Sequence, residues 1–197
     1  EEVMLLDYTF LSTVPEATLR VPSFSSWLED QDQGPAYRYL RRLLKLLAWK
    51  QEGRRFVLKT PHHLEWFDTL LEVFPDAKIV QTHRDPLQTT ASFCSMVTHG
   101  RGVFSDQVDP LEVGRDWTNK VVRMITRATE ARERHDASHF LDVSYYDLMK
   151  DPLVQMERIY AFAGQPFDAS TRAGIEASHQ SSPQHRYGKH VYHLESF

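Results

Sequence analysis

The sequence predicts an α/β fold in which a short parallel sheet is flanked by helices, and three observations carry that expectation. Short, bulky apolar runs at 55–58, 77–80 and 140–143 alternate with longer stretches whose apolar residues recur at helical spacing. The first two runs are separated by one helix-length segment, 64–74, which suits a right-handed parallel crossover between strands buried on both faces. The chain of 197 residues is 41% hydrophobic and 25% charged, so it can bury one sizeable core, and no repeat, low-complexity tract or linker divides it. One domain over 1–197 is therefore expected.

Taken in order, residues 1–12 form an acidic-led helical segment and 22–30 another. A longer amphipathic helix over 35–51 opens at Gly34-Pro35, since proline suits the first helical turn. Its Tyr39, Leu40, Leu43, Leu44, Leu46, Leu47 and Trp49 make a broad stripe that needs cover. Gly53 breaks that helix, and Arg55-Phe56-Val57-Leu58 reads as a buried strand. Leu64, Phe67, Leu70, Leu71 and Phe74 return to helical spacing, Pro75-Asp76 turns the chain, and Ala77-Lys78-Ile79-Val80 is the second strand. A helix over 86–99, a glycine-containing loop, a long polar helix over about 109–135 and a third strand at 140–143 follow. A turn at Tyr145-Tyr146-Asp147 leads to a helix over 152–163 that ends at Gly164, and then to a short helix over about 168–177. The last twenty residues, rich in His, Ser and Gln, read as a loop.

Composition excludes several classes. A formal net charge of -4 argues against a general binder of nucleic acid or anionic membranes, so an anionic ligand must be met by a local basic pocket. The single Cys94 permits no internal disulfide and no cysteine-based zinc cluster, which fits a reducing compartment, and a cytoplasmic location is expected. Arg41, Arg42 and Lys45 interrupt the most apolar stretch, well short of the roughly 20 residues that span a bilayer. Glu1-Glu2-Val3-Met4 has neither an initiator Met nor a signal pattern, and reads as the interior of a longer protein.

Ligands of an open parallel sheet bind beyond the carboxyl ends of its strands. The first predicted strand runs into Lys59-Thr60-Pro61-His62-His63, and the second into Thr82-His83-Arg84-Asp85-Pro86, where a helix opens. Lys59 and Arg84 are thus placed on one rim, beside a helix N-terminus whose free N–H groups favour anions. Singly, such a Lys or Arg is usually solvated, and a histidine pair at a helix start is more often surface than catalytic. Together, two cations, a histidine pair and a helix terminus point to an anion site. His179, His185, His190 and His193 follow no ligand spacing, and no metal is expected.

The run Arg55-Phe56-Val57-Leu58-Lys59-Thr60-Pro61-His62-His63-Leu64, then Phe74-Pro75-Asp76-Ala77 and Thr82-His83-Arg84-Asp85-Pro86, resembles the large bacterial-type sulfotransferase family. That family's pattern is a strand, Lys-Ser/Thr-Pro-x-His-Leu, a helix, Phe-Pro-Asp-Ala, a strand and His-Arg-Asp-Pro, with a Ser eight residues after the Arg. Here that Ser is Ser92. Similarity extends upstream through Val21-Pro22-Ser23-Phe24 and Pro35-Ala36-Tyr37. Downstream it runs through Tyr145-Tyr146-Asp147-Leu148 and Asp151-Pro152, then Lys189-His190-Val191-Tyr192-His193-Leu194-Glu195.

The resemblance implies a P-loop-NTPase-like three-layer fold and an enzyme that takes a sulfuryl group from 3′-phosphoadenosine 5′-phosphosulfate (PAPS). Arg84 and Ser92 would grip the donor's 3′-phosphate, with Lys189 and Tyr192 as further donor contacts. Arg84 offers a planar fork of donors suited to phosphate, whereas Ser92 taken alone reads as a helix-surface or helix-packing serine. Lys59 would meet the transferring group or leaving oxygen. A histidine beside it would take the acceptor's proton, since an imidazole with a pKa of about 6.5 is a competent base. His63 fits the motif and is favoured, while His62 stands closer to Lys59 and remains the alternative. The acceptor would be a small-molecule or lipid-like hydroxyl, or an amine, and homodimerisation is left open. Trp27, Tyr37, Tyr39 and Trp66 could line an apolar acceptor pocket, although helical aromatics more often belong to the core.

The chain departs from the family in one respect. No stretch matches the Gly-rich Pro-Arg-Ser-Gly-Thr-Thr loop whose N–H groups cradle the 5′-phosphosulfate. The expectation is an excerpt lacking the first strand, that loop and a last C-terminal segment, inactive by itself while the intact protein is an enzyme. The alternatives are a non-catalytic nucleotide-binding or scaffolding remnant and, ranked lower without a Walker-type Gly-Lys-Ser/Thr, a P-loop kinase relative.

Overall fold

The chain begins with four helices, α1 (Val3–Asp7), α2 (Val14–Thr18), α3 (Pro22–Glu29) and α4 (Gly34–Leu47). The computed structural model describes residues 2–51, 53 and 55–181. An extended stretch then leads to a 3-10 helix at Pro61–Glu65, α5 (Phe67–Val73) and strand β1 (Ile79–His83). Next come α6 (Pro86–Gly102), α7 (Pro110–Arg134), a 3-10 turn at Ala137–His139 and strand β2 (Phe140–Ser144). α8 (Tyr145–Lys150), α9 (Pro152–Phe162) and α10 (Ala169–Ser181) follow.

The helix starts obey local rules. Asp85, Asp109, Ser144 and Asp151 each accept a hydrogen bond from a backbone N–H of the turn that follows, and Pro86, Pro110 and Pro152 occupy first-turn positions where no N–H is needed. β1 and β2 pair in parallel, from Ile79 opposite Phe140 to His83 opposite Ser144. The connection between them contains α6 and α7, because parallel strands cannot be joined by a tight turn.

Three apolar clusters hold these elements. Leu6 of α1 packs on Ala36, Leu40 and Leu44 of α4; Cys94 and Val97 of α6 pack on Val113 and Trp117 of α7. Phe67 of α5 and Ala128 and Ala131 of α7 pack beneath Ile79 and Phe140 of the two strands. Each fully buried large side chain contributes roughly 1.5–3 kcal/mol of transfer free energy. α7 reaches both the second and the third cluster, so it ties the sheet to the α6 layer.

The α/β class and the parallel pairing stand as expected, but several local readings are corrected. The apolar run at 55–58 forms no strand: Val57 is 93% exposed, and no ladder partner lies beside the run among the described residues. β-branched and aromatic side chains favour the extended backbone, but a strand exists only where a neighbour's N–H and C=O are offered. The strand-helix-strand unit expected over 55–80 is therefore replaced by the β1/β2 pair, whose outer face is partly open at Val80. The helix expected over 64–74 divides at Trp66 into the 3-10 helix and α5. Tyr145-Tyr146-Asp147 is the first turn of α8, capped by the Ser144 side chain, and α2 was not foreseen. Among the described residues no helix is long and apolar enough to cross a membrane.

Candidate functional site

The 3-10 helix carries the histidine pair, and buried charge holds it in place. Thr60 caps it by accepting the His62 N–H at 3.3 Å. At its far end the buried Glu65 accepts from Arg123 Nε of α7 at 2.6 Å and lies 3.6 Å from Lys120 Nζ. Lys120 also pairs with the buried Glu16 of α2. Trp66 lies beneath the Arg127 guanidinium, 5.0 Å from the ring centroid. Breaking such a buried pair from one side typically costs about 3–5 kcal/mol, so the 3-10 helix is a firm mount on α7.

From that mount the two histidines diverge. His62 is fully enclosed, 0% exposed, and stacks on the Tyr37 ring at 6.4 Å between centroids. Neither of its ring nitrogens has a hydrogen-bond partner among the described residues. Burial, with help from His63 and Lys120, pushes its pKa down to about 3, so the ring is neutral at neutral pH.

His63 also packs against the Tyr37 ring, 5.5 Å between centroids, but stays partly exposed. Its Nδ1 is 2.7 Å from the Tyr37 hydroxyl, and its Nε2 is 3.1 Å from Glu2 Oε1. Glu2 Oε2 accepts the backbone N–H of Lys59 at 2.9 Å. Burial alone would raise the Glu2 carboxyl, but the hydrogen bonds from His63 and the Lys59 N–H outweigh it and hold the group below the usual range. Tyr37, enclosed in the core, is pushed well above 10 by burial and by the charges of Glu2 and Glu65, and keeps its proton.

The second group sits where β1 meets α6. Arg84 is exposed, donates from Nη2 to Gln88 Oε1 at 3.0 Å, and lies 4.6 Å over the Tyr145 ring at the start of α8. Ser92, half-buried, is one turn beyond Gln88 on the same stripe of α6, because residues four apart share a helix face. The strand ends are tied from below: Arg132 donates twice to Asp142 at 2.7 Å, and His83 Nε2 is 2.6 Å from the same carboxylate. Those partners, Arg132 foremost, hold the Asp142 carboxyl far below its ordinary range.

At the α6 terminus Pro86 has no N–H and the Leu87 N–H is taken by Asp85 Oδ1 at 2.9 Å, which leaves fewer free N–H groups there than a helix start of other sequence would offer. The Arg84 guanidinium is exposed and oriented by the Gln88 amide oxygen and an aromatic face. Lys59 is exposed, and Lys189 and Tyr192 lie outside the described residues.

The four aromatics considered for an acceptor pocket do not share a wall. Tyr37 is core, Trp66 lies under Arg127, and Trp27 and Tyr39 are on outer helix surfaces. Two clefts of about 90 and 250 Å³ open among α2, α3, α6 and α7, but neither includes these aromatics or any of Lys59, His62, His63, Arg84 and Ser92. Sequence reasoning missed Glu2, Gln88 and Tyr145 as site residues, and placed Tyr37 only as a pocket aromatic. Gln88, four residues beyond Arg84 on a predicted helix, was the one with a local signal. Among the described residues no cluster of His, Cys, Asp and Glu could hold a metal.

Comparison with known proteins adds a lineage to this geometry. The sequence model of the Sulfotransferase family matches residues 1–169. The omega-hydroxy-beta-dihydromenaquinone-9 sulfotransferase Stf3 of Mycobacterium bovis is 27% identical over 153 residues, which covers 74% of this chain and 39% of that protein. Its Mycobacterium tuberculosis counterpart matches to the same extent. The crystal structure of sulfotransferase STF9 from Mycobacterium avium superimposes with a TM-score of 0.90 at 30% identity, over 100% of this chain and 51% of its own. That of STF1 from Mycobacterium tuberculosis H37Rv gives 0.84 at 35% identity, over 90% of this chain and 49% of its own. The chain thus spans about half the length of these solved relatives and less of the curated ones.

Proposed function

The chain belongs to the sulfotransferase family, and from that premise we propose that its protein transfers a sulfuryl group from PAPS to the hydroxyl of a small-molecule or lipid-like acceptor. The observation that carries this reading is Arg84, exposed at the carboxyl end of β1 and held between Gln88 and the Tyr145 ring. Its planar fork would take the donor's 3′-phosphate, with the Ser92 hydroxyl as second donor and Lys189 and Tyr192 as further contacts. PAPS supplies an activated sulfuryl group. Lys59 would stabilise charge on that group or on the leaving oxygen, as cations do in the related transfer of phosphoryl groups. His63 serves the reaction beside Lys59, while the enclosed, neutral His62 backs the site.

The acceptor proposal draws on Stf3, whose name gives it an omega-hydroxylated dihydromenaquinone. The single Cys94 is compatible with a reducing cytoplasm. A non-catalytic nucleotide-binding module is the second reading, favoured by one observation: His62 is sealed from solvent and both His63 nitrogens are engaged.

Calorimetry on the native protein with 3′,5′-adenosine diphosphate and 5′-adenosine monophosphate tests the clamp. A charge-assisted pair contributes about 1.5–3 kcal/mol, so the 3′-phosphate should tighten binding by roughly 10- to 100-fold, and Arg84→Ala should erase that preference. Equal affinity for the two nucleotides would refute the clamp. Sulfated product from PAPS and a long-chain primary alcohol, read by mass spectrometry, separates enzyme from binding module.

A further inference from the structure

The segment that carries Lys59 is not in the sheet, so something else must fix it. One anchor is the Lys59 N–H bonded to Glu2 Oε2, and Glu2 is in turn tied through His63 to Tyr37. Tyr37 stands in the core face of α4, completely enclosed. One continuous hydrogen-bonded line therefore runs from the core to the Lys59 backbone, and His63 is its middle link.

For a neutral His63 ring the protons on that line have one consistent assignment. Tyr37 keeps its O–H and donates it to His63 Nδ1, which must be bare. Glu2 is a carboxylate and can only accept, so His63 Nε2 must carry the hydrogen that faces it. The Nε2–H tautomer uses both ring nitrogens and leaves no lone pair for a substrate proton. We propose that His63 is a positioning residue, a strut between Tyr37 and Glu2 that holds the Lys59 backbone in place, rather than the group that takes the acceptor's proton.

This inference rests on the sulfotransferase reading for its kinetic consequence, but not for the tautomer. Glutamine offers one donor and one acceptor at similar reach and cannot act as a base at neutral pH. In the native protein, His63→Ala should lower kcat by about 100-fold through misplacement of Lys59, while His63→Gln should restore it to within about tenfold of wild type. Affinity for 3′,5′-adenosine diphosphate should hold in both. Glu2→Gln retains one acceptor oxygen for two donors and should fall between them.

A His63→Gln protein that folds, binds nucleotide and is as inactive as His63→Ala would overturn the strut and return His63 to the role of base. If the variants do not fold, the wild-type ring decides: ¹⁵N chemical shifts must show Nε2 protonated and Nδ1 bare, and the opposite tautomer rejects the proposal. Wild-type protein that transfers no sulfuryl group would instead defeat the functional reading, leaving the tautomer result to stand or fall by itself.

Discussion

Mild acid should destabilise this protein through His62. The ring is enclosed, faces Tyr37, His63, Trp66 and Lys120, and titrates near 3 when folded against an ordinary value of 6.5. A histidine whose folded pKa is depressed binds its proton more readily when unfolded. Stability from this group is therefore complete above about pH 6.5 and is lost as the pH falls toward about 3. Linkage gives a loss of about 2 kcal/mol between pH 7.5 and pH 5, and at most about 5 kcal/mol by pH 3. For a domain of this length, 2 kcal/mol lowers Tm by roughly 4–8 °C.

The carboxylates with depressed pKa values, Glu2, Asp68 and Asp142 among them, lose their stabilisation only below their own unfolded values of 3.8 to 4.5, so they contribute little between pH 7.5 and 5. Circular-dichroism melts of wild type and His62→Phe across that window make the comparison. Phenylalanine keeps the ring contact with Tyr37 and removes two unpaired nitrogens, so it should match or exceed wild type at pH 7.5 and flatten the pH dependence. An undiminished slope in His62→Phe would show that another group carries the pH dependence, and a loss of more than about 2 kcal/mol at pH 7.5 that the His62 nitrogens are bonded; either result would refute the reasoning.

Two further outcomes follow from the contacts around the site. Lys120→Met strands the Glu16 carboxylate and should cost about 3–5 kcal/mol in denaturant unfolding, with most of it regained in Lys120→Met/Glu16→Gln; a cost below about 1 kcal/mol would contradict the buried network. Tyr145→Leu removes the aromatic face under Arg84, worth about 0.5–1 kcal/mol at an exposed site, and should weaken 3′,5′-adenosine diphosphate two- to fivefold in calorimetry without changing 5′-adenosine monophosphate.

The candidate site was legible where its signals are local. Arg84 follows the β1 apolar run and precedes Asp85-Pro86, which starts α6 by capping, and Gln88 is its neighbour at i+4. The same holds for the motif around Lys59 and for Ser92, two turns into α6. The histidine pair was found, but its division of labour was not. Nothing within ten residues of His62 and His63 says that one ring is sealed against Tyr37 and the other bridged between Tyr37 and Glu2.

Residue by residue, the sequence alone determined most of the longer helices, the two strands that pair and the cationic residues near their ends, because apolar period, proline placement and side-chain caps act over three or four positions. Tertiary structure alone decided what each polar group meets. The 55–58 run has strand chemistry but no ladder partner among the described residues, and a ladder is supplied by another part of the chain. His63 meets Tyr37 across 26 residues and Glu2 across 61, while Lys120 reaches Glu16 across 104. Hydrogen bonds and buried charges are satisfied in space rather than along the backbone, so the protonation of His63 and the neutrality of His62 exist only once those distant segments are packed together.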